Sequence, residues 1–152
     1  MDIVIERANV NDSKQLIDVQ NKSFYEDYEK YGNCPAYNEP EERILELIEN
    51  NIVYKILADG EIIGDIIIRI RENQNYYLRV IAVIPEYWNQ GIGSKAMKYI
   101  EENNPEAKKW SLITPHQSFR NHHFYEKIGY KKVGEIIDSE KLTLWKYEKE
   151  ID

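Results

Sequence analysis

The stretch from Val80 to Met97 constrains the fold most. The apolar run Val80-Ile81-Ala82-Val83-Ile84-Pro85 reads as a strand, and Glu86 to Gln90 as a loop. Gly91-Ile92-Gly93 then opens a segment with Ile92, Ala96 and Ile100 at helical spacing, stopped by Pro105. A strand, a glycine-bearing loop and an amphipathic helix in that order place several main-chain N–H groups at the positive end of a helix dipole. Glycine at 91 and 93 would let an anion approach the backbone closely. The same two residues could also do no more than make a tight turn.

The flanking pattern restricts the architecture. Ile52–Ala58, Glu61–Arg71 and Tyr76–Ile84 read as three successive strands, the first two joined by the hairpin turn Asp59-Gly60 and the last two by residues 72–75. A short strand is predicted over Ile3–Ile5. A helix capped by Asn11 or Asp12 follows, carrying Leu16, Ile17 and Val19 and ending near Ser23. Phe24 to Asn38, rich in Tyr, Asp and Glu, is expected as a loop or broken helix and as the place for substrate contacts. Pro40-Glu41-Glu42 opens a second helix with Ile44, Leu45 and Ile48 on its apolar face. After the glycine loop and its helix come a strand at Trp110–Thr114, a helix at Phe119–Ile128 closed by Gly129, and a hairpin of Tyr130–Ile137 and Leu142–Tyr147. The order β-α-α-β-β-β-α-β-α-β-β gives one α+β domain over residues 1–152.

Several function classes are disfavoured. Lys and Arg total 20 against 27 Asp and Glu, a formal charge of −7, the wrong sign for a nucleic-acid binder. The acidic balance leans toward a cationic or neutral substrate. Cys34 is the single cysteine, so neither a disulfide framework nor a cysteine-based zinc site is available, and a reducing, cytoplasmic setting fits. No metal is expected: adjacent His122 and His123 diverge on a helix, and these two and His116 are read as surface or cofactor-rim residues. No apolar run approaches the roughly 20 residues of a membrane span, and the first residues do not resemble a signal peptide.

Gly91-Ile92-Gly93-Ser94-Lys95-Ala96 also matches the dinucleotide pattern G-x-G-x-x-A. It stands after an antiparallel meander rather than in a leading βαβ unit, and the next strand offers no acid for a ribose. A Walker A loop is excluded by the order Gly93-Ser94-Lys95.

The chain resembles the GNAT superfamily of N-acetyltransferases. Val80–Met97 is similar to that family's pyrophosphate motif, Q/R-x-x-G-x-G/A after a strand ending V-x-P, with Trp88 departing at the Gln/Arg position. Phe124-Tyr125-Glu126-Lys127-Ile128-Gly129-Tyr130 is similar to the signature F-Y-E-K-x-G-F/Y, and Ile3-x-Ile5-x-Arg7-Ala8 with Asp12 to the family's opening. The resemblance implies a mixed, mostly antiparallel sheet with splayed central strands flanked by helices, and acetyl-CoA as cosubstrate. By position, Tyr76–Ile84 and Trp110–Thr114 are the splayed strands. The implied cofactor contacts are Ile81, Ala82 and Val83 for pantetheine, Asn89, Gln90, Gly91, Ile92, Gly93, Ser94 and Lys95 for the pyrophosphate, and Asn121 at the next helix. The Val83 N–H is a candidate to polarise the thioester carbonyl. Tyr125 falls at the family's usual acid position. The helical period turns it about 100° from Phe124, so that Phe124 packs inward and Tyr125 faces the cofactor. Glu26, Asp27, Glu29 and Glu72 are possible bases, nothing in the sequence selects one, and a relay through water is equally open. Direct attack by the amine is preferred to an acyl-cysteine route. The implied acceptor is a small-molecule or peptide amine. A non-catalytic acyl-CoA-binding or sensing module of the same fold is the alternative. The sequence does not distinguish monomer from homodimer.

Overall fold

The computed structural model describes residues 1–32 and 34–151. Asn33, inside the expected loop, and Asp152, at the end of the expected domain, lie outside the described residues. The strands are β1 (Ile3–Arg7), β2 (Ile52–Ala58), β3 (Glu61–Arg71), β4 (Asn75–Val83), β5 (Lys109–Pro115), β6 (Lys131–Ser139) and β7 (Leu142–Glu150). The helices are α1 (Ser13–Tyr31), α2 (Glu41–Asn50), α3 (Ile92–Asn103) and α4 (Phe119–Lys127). All strands join one seven-stranded sheet in the order β1-β2-β3-β4-β5-β7-β6, antiparallel except for β4 against β5. The predicted α+β class and element order are those observed.

One core cluster includes Ile66, Ile68, Met97, Ile100, Trp110 and Tyr147; the other joins Leu16, Ile44, Leu47, Ile67, Val80 and Ala82. On β4 the pairing with β3 slips, so that Ile67 faces Val80 while Ile68 faces Leu78. Arg79 is the extra residue of this bulge. It exchanges the two faces: Tyr76 and Leu78 lie in the first cluster, Val80 and Ala82 in the second, while Ile81 and Val83 pack against the first. A strict alternation could not place all six residues in this way.

Two expectations are corrected. α1 does not end near Ser23; it runs to Tyr31, closed by Gly32 at φ 74° with its N–H on the Tyr28 carbonyl. The aromatic and acidic segment expected as loop or broken helix is therefore helical as far as Tyr31, because Tyr, Asp and Glu give a weak apolar period although their propensities permit helix. On α2 the fully buried residues are Ile44 and Leu47; Leu45 and Ile48 are half-buried. Among the described residues no helix is long and apolar enough to cross a membrane.

Gly64 on β3 faces Val83, and a methyl group built there would collide with the Ala82 carbonyl oxygen and approach Ile56 Cδ1 at 3.2 Å. Backbone cannot yield as a side-chain tip can. Gly64→Ala is expected to destabilise the protein by about 1–3 kcal/mol, read as a lowered denaturation midpoint in urea.

Candidate active site

β4 and β5 pair over only three positions, Asn75 with Lys109, Tyr76 with Trp110, and Tyr77 with Ser111. Beyond these the strands part, although each stays fixed on its outer edge: β4 to β3 as far as Val83, β5 to β7 as far as Pro115. The fork holds a cleft of about 720 Å³ reaching from the start of α3 to α1 and α4.

The ladder phase decides which backbone groups face this gap. Ile84 donates to the Ile63 carbonyl at 2.9 Å, so the register makes Ala82 with Asp65 and Val80 with Ile67 the next hydrogen-bonded pairs. The N–H and C=O groups of Ile81 and Val83 therefore point away from β3, into the fork, while those of Ala82 are used in the sheet. The Val83 carbonyl accepts from Trp88 Nε1 at 2.6 Å. Trp88, at the departing position of the motif, thus folds its side chain back onto the strand end.

After a 3-10 turn at Pro85–Tyr87, Asn89 and Gly91 both take left-handed backbone, φ 62° and 77°, before α3 begins. The first helical bond is Lys95 N–H to the Gly91 carbonyl, 3.1 Å. Among the described residues, the N–H groups of Asn89, Gln90, Gly91, Ile92, Gly93 and Ser94 make no hydrogen bond within the protein, and no side chain caps the helix. The open end of α3 is an anion-binding arrangement. Asn89, Gly91, Ile92, Gly93 and Ser94 line the cleft. The side chains of Gln90 and Lys95 are directed elsewhere: Gln90 Nε2 to the Glu86 carbonyl at 3.3 Å, and Lys95 Nζ to the Ile3 carbonyl at 3.2 Å. The Lys95 main-chain N–H is also bonded, so it adds no free donor to this run. The side chain's reach to β1 was invisible without the tertiary fold.

α4 closes the opposite side. His122 Nε2 lies 2.9 Å from the Pro115 carbonyl, Asn121 Nδ2 donates to Thr114 Oγ1 at 3.2 Å, and Tyr147 donates to Glu126 Oε2 at 2.7 Å. These bonds pin the helix over the end of β5, with Asn121 and Tyr125 in the cleft wall. Phe124 does not pack fully inward as expected: it is half-buried beside Gly93 and lines the cleft together with Tyr125, which is buried among Phe124, Tyr130 and Tyr147. Burial pushes the Tyr125 hydroxyl well above its ordinary value, so it stays protonated. No protein group bonds this hydroxyl among the described residues. His122 is likewise no surface residue; it is buried and stacks on Trp145 with 4.2 Å between ring centroids. His116 is half-buried and His123 exposed. Arg120, which nothing in the sequence singled out, stands over the Trp88 ring at 5.1 Å and lines the cleft.

Of the four candidate bases, Glu26 and Asp27 line the cleft; Glu29 and Glu72 do not. Two further carboxylates escaped sequence reasoning. Buried Glu39 pairs with Arg79 Nη1 at 2.7 Å. Asp65 is fully buried on β3, and neither of its oxygens has a hydrogen-bond partner among the described residues. Its isolation within Ile62-Ile63-Gly64-Asp65-Ile66-Ile67-Ile68 was the signal that could have found it. The Cys34 thiol is pushed up by burial and does not line the cleft.

The acetyltransferase (GNAT) family model matches residues 15–130, more than half of the sequence. The chain belongs to this family. It is 36% identical over 109 residues to the uncharacterized protein YrkN of Bacillus subtilis, covering 67% of this chain and 58% of that one. The chain thus spans less than two thirds of that relative's length. To the S-alkylcysteine N-acetyltransferase of the same organism it is 26% identical over 141 residues, covering 86% of this chain and 79% of the relative. The crystal structure of the PaiA N-acetyltransferase of Thermoplasma acidophilum, in complex with coenzyme A, superposes with a TM-score of 0.79 at 21% identity, covering 99% of this chain and 100% of that one. The GNAT fold is thereby shown.

Asp65 gives a pH test of the structure. Desolvation first, and then the charge of Glu39, raise its proton affinity well above the ordinary value near 3.8, against a smaller opposing effect of Arg79. The folded chain therefore holds this proton where the unfolded chain has lost it. Stability contributed by protonated Asp65 is full below pH 3.8 and declines as pH rises toward its folded pKa. Asp65→Asn is expected to remove that decline, raising the melting temperature over wild type more at pH 8 than at pH 5. An equal effect at both pH values would overturn the assignment.

Proposed function

We propose that this chain transfers an acetyl group from acetyl-CoA to a primary amine by direct attack. The observation that carries the reading is the run of six unengaged main-chain N–H groups from Asn89 to Ser94, at the open end of α3 beside a strand edge whose Ile81 and Val83 groups face the fork. A diphosphate fits the first feature and an amide-bearing pantetheine chain the second. Ile81 offers both a donor and an acceptor, and Val83 its N–H alone, because Trp88 occupies its carbonyl. Asn121 stands on the far wall and can bond the same chain. The relatives reported above, one of them an N-acetyltransferase with coenzyme A bound, support this donor.

The remaining roles follow from charge. Attack on the thioester carbonyl moves negative charge to its oxygen, and the Val83 N–H is a donor for it. Collapse moves charge to sulfur. A neutral, buried tyrosine at the cleft wall can donate a hydrogen bond and then a proton to that sulfur. The desolvation that raises Tyr125 also raises the proton affinity of a thiolate in the same place.

The test is acetyl-CoA titrated calorimetrically, followed by thiol release across a panel of primary amines. Binding with amine-dependent release supports the enzyme; binding without release under any amine would leave only a carrier-binding module. Tyr125→Phe is expected to lower kcat by about 10²-fold with little change in acetyl-CoA affinity. An unchanged rate would remove Tyr125 from the mechanism.

A further inference from the structure

α1 buries Leu16, Gln20 and Tyr31. Asp27 falls on the same stripe, seven residues after Gln20 and four before Tyr31. The helix packs on β3 and β4, and Ser23, Phe24 and Asp27 line the cleft together with Arg79 and Val80 of β4. A carboxylate therefore sits half-buried where an amphipathic helix ordinarily carries an apolar side chain. Among the described residues no hydrogen bond or ion pair reaches it. A desolvated carboxylate without a partner is costly, and one at the wall of a reaction cleft is matched by a cationic ligand.

We propose that Asp27 pairs with the incoming ammonium group of the acceptor and removes the proton that blocks its lone pair. This inference rests on the acetyl-transfer reading above. The other carboxylates are excluded on geometry. Glu29 is exposed and lies outside the cleft; Glu72, in the turn between β3 and β4, lies outside it too. Glu39 is committed to Arg79, and Asp65 is fully buried on β3 and does not line the cleft. Glu26 lines the cleft but is exposed, so solvent weakens its hold on a cation.

Burial is the main cause raising the Asp27 pKa, Lys30 on the same helix lowers it, and Glu26 raises it. The Cys34 thiol and the Glu39–Arg79 pair stand on the neighbouring elements. A raised carboxylate is the better base, provided the pH stays above its pKa.

The protons balance. The ammonium gives one proton to Asp27, which passes it to water. The neutral nitrogen forms the C–N bond, and the carbonyl π pair moves to oxygen. The tetrahedral species then re-forms C=O and breaks C–S. Sulfur takes its proton from Tyr125, which recovers one from the nitrogen. The net reaction is ammonium plus thioester to amide, thiol and one released proton.

The experiment compares wild type, Asp27→Asn, Asp27→Glu and the control Glu29→Gln with acetyl-CoA and the best amine of the panel. Asp27→Asn is expected to lower kcat/KM by about 10²-fold, raise KM for the amine, and leave acetyl-CoA affinity and melting temperature undiminished. In wild type, kcat/KM should fall as pH drops through the Asp27 pKa. That limb should vanish in Asp27→Asn and persist in Asp27→Glu with partial activity. Glu29→Gln should behave as wild type. If wild type turns over amines and Asp27→Asn keeps its rate and acid limb, this inference fails alone. If wild type releases no thiol with any amine, the transfer reading fails and takes this inference with it.

Discussion

The structure depends on a sheet that is deliberately left unzipped. Two neighbouring parallel strands would ordinarily continue their ladder, because an unpaired backbone edge inside a protein forfeits hydrogen bonds. β4 and β5 stop after Tyr77 and Ser111, although each stays paired along its other edge. The Arg79 bulge adds a local bend and reverses the inside-outside phase of β4 at that point. Ion pairing of Arg79 with buried Glu39 then fixes the bulge to the segment ahead of α2. The fork thus opens beside the bulged residue while both outer ladders stay closed, and a ligand presenting amides can complete the inner one.

The elements whose side chains alternate or recur cleanly were legible: the isoleucine-rich strands, the hairpin at Asp59-Gly60, and the glycine loop opening α3. The second half of α1 was not, because its inward stripe carries Asp27 and Tyr31 in place of aliphatic residues. The site was legible where it consists of main chain. Gly91 is readable because left-handed backbone and close approach both favour glycine. Side-chain roles were less so. Lys95 suits an anion site by charge, but from the first turn of α3 it reaches the β1 edge instead. The local period could not rank Phe124 and Tyr125, because their burial is decided by Tyr130 and Tyr147 arriving from later segments.

The two ends of the cleft differ in charge and in the kind of group that carries it. At the α3 end the positive potential comes from fixed amides and a helix dipole, which need no ionised side chain and no rotamer ordering. Arg120 adds a side-chain charge there over the Trp88 ring. At the α1 end the charge is negative and borne by carboxylates, with Arg79 neutralised by Glu39. An anionic carrier and a cationic acceptor entering from opposite ends would each meet the favourable sign, and a swap would meet the unfavourable one.

Trp88 shows how the α3 end tolerates a departure from the family pattern. A long polar residue at that position could extend toward an anion; an indole cannot accept or carry charge. Its Nε1 instead satisfies the Val83 carbonyl at 2.6 Å, a group that the opened ladder leaves without a strand partner. The same ring offers its face to Arg120 from α4. One substitution thus exchanges a single reaching side chain for a tied strand end and a cation drawn from another element. The loop keeps its shape because the groups that define it, Asn89 and Gly91 in left-handed backbone ahead of α3, involve no side chain at position 88.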